Sequence, residues 1–216
     1  MTAEWSFTDV FTHALRGAPT TIAHHEGEHP LPVETWTAAP DAADLALLDL
    51  CVGSTLDVGC GPGRMTQELS RRGHPALGID VVAEAVRLTR ERGAAAVEGN
   101  VFEPLPGEGS WDSVLLADGN VGISGDPAQL LSRIRELLSP GGRAVVEVTA
   151  PGTQSSSGWA TLEGTHGRSR PFRWAHVAVD DMSSVAASAG LVVVSEHQLT
   201  ADDPTGRWAV VLGAES

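Results

Sequence analysis

The sequence predicts an α/β fold, a doubly wound sheet of seven mostly parallel strands that ends in an antiparallel hairpin. Three observations carry this. From about Leu56 onward, short apolar runs alternate with segments whose apolar residues recur every three or four positions, as strands joined by crossover helices require. Glycine stands at the end of most of the periodic segments, where a helix stops. The link between the last two apolar runs, 202–206, is far shorter than the dozen residues of a crossover, so those two strands pair antiparallel.

Element by element, strands are expected at 54–58, 76–80, 95–99, 113–116, 143–148, 191–198 and 208–213, with crossover helices at 65–72, 83–92, 127–138 and 180–189. In 127–138 the residues Leu130, Leu131, Ile134, Leu137 and Leu138 form one apolar stripe. Gly73, Gly93 and Gly190 occupy the position after a helix where a left-handed residue is wanted, and Pro140-Gly141-Gly142 predicts a turn into the next strand. Two stretches break the rhythm. Residues 1–53 hold a helix near 5–15, a His- and Pro-rich segment at 23–36 and a helix at 41–50. Residues 150–178 are rich in Ser, Gly and Arg, with an extra strand pair expected at 160–162 and 172–177. A connection that long binds something or covers something. The expected organisation is one domain over 1–216: a binding core at 51–149, covers at 1–50 and 150–178, and a closing helix and hairpin at 179–216.

Composition narrows the partners. The 216 residues are 42% hydrophobic, enough for a full core, and carry a formal charge of −14. That field repels phosphate polymers and anionic bilayers, so neither nucleic acid nor membrane is expected as a partner. The first thirty residues lack a basic segment followed by an apolar run, and no stretch approaches about 18 apolar residues, so the expected location is the cytoplasm. Cys51 and Cys60 are expected as free thiols. Oligomeric state is not legible.

In an open α/β sheet the ligand lies beyond the carboxyl ends of the strands, where the first strand turns into its helix. Leu56-Asp57-Val58-Gly59-Cys60-Gly61-Pro62-Gly63 stands there. Its glycines let a ligand lie against main-chain N–H groups. The dinucleotide spacing needs glycine at 64, but that residue is Arg64 and Pro62 is rigid, so NAD is disfavoured. Asp80 closes the second strand about 20 positions on, where an acid reaches ribose hydroxyls.

This loop, followed by Gly78-Ile79-Asp80, Gly99-Asn100-Val101-Phe102, Trp111-Asp112-Ser113-Val114-Leu115-Leu116 and Pro140-Gly141-Gly142-Arg143, resembles the class I S-adenosylmethionine-dependent methyltransferases. The motifs cover roughly 45–150. The resemblance implies a Rossmann-like methyltransferase fold with S-adenosyl-L-methionine as cofactor and S-adenosyl-L-homocysteine as product. It places Asp57 and Gly59 beside the methionine part, lets Gly61 and Gly63 admit the cofactor closely, and gives Asp80 the ribose. Val81, Asn100 and Val101 would flank the adenine; Asn100 stands where many members have aspartate and accepts through its amide oxygen. Cys60, Arg64, Phe102 and Asp118 complete the expected contacts.

Methyl transfer is largely a matter of placing the acceptor in line with the methyl group. Asp118 and Asn120 follow the fourth strand at its carboxyl end and are the first polar candidates for chemistry; Asp118 could equally hold the cofactor's ammonium group. His176, beside Trp174, is the third. Nucleobase and glutamine-amide enzymes of this class carry Asn/Asp-Pro-Pro-Tyr/Phe after the fourth strand, whereas Ala117-Asp118-Gly119-Asn120 stands here. The magnesium-dependent catechol type needs Asp-Asn after the fifth strand, where Thr149-Ala150-Pro151 stands. The loop histidines His24, His25 and His29 have no metal-ligand spacing. No metal is expected. Trp5, Trp36, Trp159 and Trp174 fall in the covers and suit either an apolar acceptor pocket or core closure. Arg168, Arg170 and Arg173 could meet an acidic acceptor or form a solvated face. The expected function is methyl transfer to oxygen or nitrogen of a small molecule; the alternatives are a protein side-chain methyltransferase and a cofactor-binding protein that transfers no methyl.

Overall fold

The apolar runs and helical stripes assemble into the expected seven-stranded sheet, while the two irregular stretches join each other in a second sheet. The computed structural model describes residues 4–24, 27–165, 167–200 and 206–214. The chain starts with β1 (Glu4–Trp5), α1 (Phe7–Leu15), β2 (Thr20–His24), β3 (Gly27–Pro30), α2 (Val33–Thr37) and α3 (Ala42–Leu48). Next come β4 (Thr55–Val58), α4 (Arg64–Arg71), β5 (Ala76–Asp80), α5 (Ala83–Glu91), β6 (Ala96–Glu98), β7 (Trp111–Leu116), α6 (Pro127–Leu137) and β8 (Leu138–Val148). It closes with β9 (Ser156–Gly164), β10 (Gly167–Ser169), β11 (Phe172–His176), α7 (Val179–Ser188), β12 (Leu191–Gln198) and β13 (Trp208–Ala214).

The large sheet runs β12-β13-β8-β7-β4-β5-β6. β13 lies antiparallel to both neighbours, and the pairings from β8 to β6 are parallel. Alternation along β7 shows why helices cover both faces. Val114 and Leu116 join one core cluster with Leu130, Leu131, Ile134 and Leu137 of α6 and Met182 of α7. Leu115 joins another with Leu47 and Leu48 of α3 and Met65 and Leu69 of α4. Helix starts are capped as the sequence allows: Ser6 and Asp41 form capping boxes with Asp9 and Asp44, and Asp126 caps α6 ahead of Pro127.

Several boundaries move. Trp5 belongs to β1, and the first helix begins only after the Ser6 cap. Pro140-Gly141-Gly142 lies within β8, which begins at Leu138 directly after α6; the departure is absorbed as a register shift against β7 between Trp111 and Ser113. The larger correction concerns 23–36, read as an irregular segment with loop histidines. His24 and His29 sit on the paired strands β2 and β3, because alternate residues of Thr20–His24 hydrogen-bond to β9 on the other side. The second sheet is β1-β10-β9-β2-β3, with β11 also on β9, so both covers contribute strands to it. His25, His166 and most of the 202–206 link lie outside the described residues.

Candidate active site

The strand order reverses between β4 and β7, and the loops leaving their carboxyl ends meet there. The loop after β4 is held by side chains from three directions. Asn120, following β7, donates its amide nitrogen to the carbonyls of Val58 (2.9 Å) and Gly59 (3.0 Å). Asp80 accepts from the Gly61 N–H at 2.9 Å and, through its other oxygen, from the Val82 N–H at 2.8 Å. Asp57 accepts from the Thr66 hydroxyl at 2.6 Å. A side chain on Gly61 (φ 53°) would meet open space, so its backbone borders the cavity bare. Gly63 has a different duty: its added Cβ would fall 2.6 Å from Thr89, so glycine there lets α4 pack on α5.

A closed ring of charged groups stands behind the loop after β7. Both Asp118 oxygens accept from one Arg64 nitrogen at 2.8 Å. Arg64, 2% exposed, also pairs with Asp44. Asp44 accepts from Arg207 at 2.7 Å, and Arg207 bonds both oxygens of Glu147 at 2.5 and 3.0 Å. Glu147 closes the circuit by accepting the Asp118 backbone N–H at 2.7 Å. Asp118 itself has a left-handed backbone (φ 52°), a conformation that costs a non-glycine residue about 1 kcal/mol or more and is kept only where its surroundings demand it.

A cavity of about 570 Å³ lies over these loops. Its floor includes Asp57, Gly59, Cys60, Gly61, Arg64 and Asp80, with Val81, Asn100 and Val101 on one side and Asp118 and Asn120 on the other. The floor is acidic. Loss of water around Asp57, with Asp118 and Asp80 nearby, raises its carboxyl to about 7 against the lowering bond from Thr66. Burial likewise raises Asp80, opposed by the bonds from Val82 and Gly61. Burial and the same carboxylates push the Cys60 thiol up, so it is an inert wall and no nucleophile. The roof comes from the second sheet and α1: Ile22, Leu162, Phe172, Trp174, Phe7 and Phe11.

Of the residues expected to touch the cofactor, Gly63 and Phe102 are not in this lining. Phe102 packs against the main core, and its N–H donates to the Asn100 side-chain oxygen at 3.1 Å. Asn120, expected in the chemistry, spends its amide donors clamping the glycine loop. His176 ends β11 and lines the cavity from above. Among the aromatic residues of the covers, Trp36 and Trp174 line the cavity while Trp159 is 62% exposed. Arg168 pairs with Glu163 at 3.2 Å, and Arg173 stacks on Trp159 and donates to Ser157, so both are engaged by their own neighbours. Asp44, Glu147 and Arg207 were not anticipated. Glu147 had a signal, a lone acid inside the apolar run Val145-Val146-Glu147-Val148; Arg207 had none. Among the described residues no three His, Cys, Asp or Glu side chains gather as a metal site, and no helix is long and apolar enough to cross a membrane.

A seven-stranded sheet of this order, with a glycine loop at its switch point and an acid closing the next strand, is the Rossmann-like methyltransferase fold. Residues 56–146 match the family described as "Methyltransferase domain". A ubiquinone biosynthesis O-methyltransferase of Xanthomonas oryzae is 33% identical over 105 residues, 45% of this chain and 44% of the relative. The chain spans under half the length of the curated relatives it matches. A methyltransferase of Bacteroides fragilis, solved with S-adenosyl-L-homocysteine, has a TM-score of 0.80 at 18% identity and covers 99% of both chains. The 1,6-didemethyltoxoflavin N1-methyltransferase of Burkholderia thailandensis has a TM-score of 0.60 at 18% identity, covering 99% of this chain and 92% of its own.

Proposed function

We propose that this chain transfers a methyl group from S-adenosyl-L-methionine to an oxygen or nitrogen of a small molecule held under the second sheet. One observation carries the reading: a single cavity runs from the glycine loop and Asp80 to the roof, with Asp118 between them. The floor fits the cofactor. An ionised carboxylate has about four acceptor positions, and Asp80 has two in use, leaving two for ribose hydroxyls. Bare backbone at Gly61 admits close approach, and the acids Asp57, Asp80 and Asp118 suit a ligand that carries positive charge. Val81, Asn100 and Val101 would hold the base; Asp57, Gly59 and Asp118, with Cys60 and Arg64 in the wall, would hold the amino-acid end.

The cofactor supplies an electrophilic methyl group on positively charged sulfur; the acceptor's lone pair takes the carbon, the carbon–sulfur pair stays on sulfur, and the acceptor loses a proton. The chain's part is placement. Asp118, fixed by Arg64 and by its own backbone bond to Glu147, orients an ammonium or an acceptor hydrogen; burial raises its carboxyl and the Arg64 guanidinium opposes that rise. His176, facing the cavity from the roof, is the side chain there whose ring nitrogen can take up a proton. Asn120 is a positioning residue for the loop.

Calorimetric titration with S-adenosylmethionine and S-adenosylhomocysteine tests this. Saturable binding of both, with S-adenosylhomocysteine released from S-adenosylmethionine in the presence of an acceptor, is expected. Absence of binding would refute the reading, and binding without turnover over a broad acceptor panel would favour a cofactor-binding protein that transfers no methyl.

A further inference from the structure

The roof has a chemical character of its own. With six tryptophans, four phenylalanines and no tyrosine, the chain has few aromatic residues, yet five of them form one continuous arc. Trp36 meets Phe11 at 5.7 Å between ring centroids, Phe11 stacks on Phe7 at 5.3 Å, Phe7 meets Phe172 edge-on at 4.9 Å, and Phe172 meets Trp174 at 6.4 Å. All five line the cavity. The arc joins both covers, since Phe7, Phe11 and Trp36 come from the first and Phe172 and Trp174 from the second. Had these rings only closed the core, packing would have buried them. Instead all five keep part of their surface open, whereas the aliphatic Leu162 beside them is 1% exposed. Partly open aromatic faces lining a cavity suit an apolar partner.

The polar groups are confined to the other end. Among the described residues Asp118 (φ 52°) and Ser124 (φ 68°) are the non-glycine residues with a left-handed backbone, and both line this cavity. The segment between them is locked under the roof. Ile123 makes a β-bridge to Trp174, and a Cβ on Gly122 would fall 2.0 Å from the Ala175 carbonyl oxygen, so glycine there lets β11 lie against the loop. The aromatic arc and the polar Asp118–Ser124 segment are thus held in one register. The described lining disfavours a polyanionic acceptor: the floor is acidic, its Arg64 is paired with Asp44 and Asp118, and Arg173 is turned to Trp159 and Ser157.

We propose that the acceptor is a planar, predominantly apolar aromatic or heteroaromatic ring compound, seated against the arc Trp36-Phe11-Phe7-Phe172-Trp174, with its methylated substituent at Asp118 and Ser124. The inference rests on the methyltransferase reading, and its test separates the two. The full chain is saturated with S-adenosylhomocysteine and titrated with 2-naphthol, with its saturated counterpart decahydro-2-naphthol, and with propane-1,2,3-tricarboxylate, following heat and the quenching of tryptophan fluorescence. 2-Naphthol is expected to bind at least fivefold more tightly than the saturated alcohol, the scale of one or two aromatic contacts, and the tricarboxylate not at all. Trp36→Leu and Phe172→Leu are each expected to weaken 2-naphthol severalfold while leaving the affinity for S-adenosylhomocysteine within twofold, which also reports that each variant is folded. Equal binding of the two alcohols, or tightest binding of the tricarboxylate, would overturn the acceptor class alone. Failure to bind S-adenosylhomocysteine would overturn the methyltransferase reading and the acceptor class with it.

Discussion

Replacing Asp80 by alanine separates the two duties of this residue, shaping the loop and holding a ligand. In the free protein its carboxylate, 9% exposed, accepts the Gly61 and Val82 N–H groups. Hydrogen bonds to a charged acceptor contribute about 1.5–3 kcal/mol each, but the raised pKa of Asp80 shows that burial already opposes its charge, so the low end applies. Loss of both bonds then destabilises the fold by roughly 2–3 kcal/mol, or about 4–10 °C in Tm for a domain of this size. Two further bonds to ribose hydroxyls, at the same low end, make about 3 kcal/mol, a rise in Kd of roughly 150-fold. Calorimetry with S-adenosylhomocysteine, at a temperature where circular dichroism shows the variant folded, measures the second effect apart from the first. Asp80→Asn, which keeps one acceptor oxygen without its charge, is expected to fall between the two. A Kd within threefold of the parent in the alanine variant would refute the assignment of the ribose to Asp80, whatever the Tm did.

Three further outcomes follow from the same geometry. The folded carboxyl of Asp57 lies near 7 against an unfolded value of about 3.9, so the native state holds the extra proton, and stability from this group falls as pH rises from about 4 to 7, by roughly 4 kcal/mol in all. Asp57→Asn should therefore gain Tm relative to the parent at pH 8 compared with pH 5; parallel Tm curves would remove Asp57 as the cause. Gly61→Ala should weaken cofactor binding more than it lowers Tm, because its Cβ enters open cavity, while Gly63→Ala should chiefly lower Tm, because its Cβ meets Thr89; calorimetry and thermal melts would show the reverse order if the two duties were misassigned. Arg207→Met leaves Asp44 and Glu147 short of a partner and should cost about 3 kcal/mol, read from urea unfolding; a loss under 0.5 kcal/mol would mean that solvent already screens the ring.

The core was legible because its signals are local and its ligand loop is backbone. Strand alternation, the apolar stripe of α6 and the capping residues each act within a few positions, so the sheet and its switch point could be placed from Leu56 onward. The floor of the site was legible for the same reason: Gly61 and Asp80 stand at positions that the chain path itself brings to the cavity. Gly63 and Phe102 stand outside the cavity lining; spacing shows where a residue stands and not which way a side chain there would point. One faces α5 and the other the core.

The roof was illegible for a complementary reason. Its strands pair across more than a hundred residues, Ile22 with Leu162 and Glu4 with Arg168, and such pairing leaves no period in either partner alone. His24 and His29 therefore looked like loop residues, and no spacing in the sequence joins Phe7, Phe11 and Trp36 to Phe172 and Trp174. The ion ring has the same origin, since Asp44, Arg64, Asp118, Glu147 and Arg207 come from five separate stretches of the chain. This division follows the division of labour in the site. Under the proposed function the floor would meet a ligand common to many proteins of this fold and is built from contiguous motifs, whereas the roof would suit one acceptor and is built by bringing distant segments together. The residues proposed to choose the acceptor are accordingly those on which the linear sequence is least informative, and the tight seat of Gly122 against Ala175 is what couples their placement to Asp118.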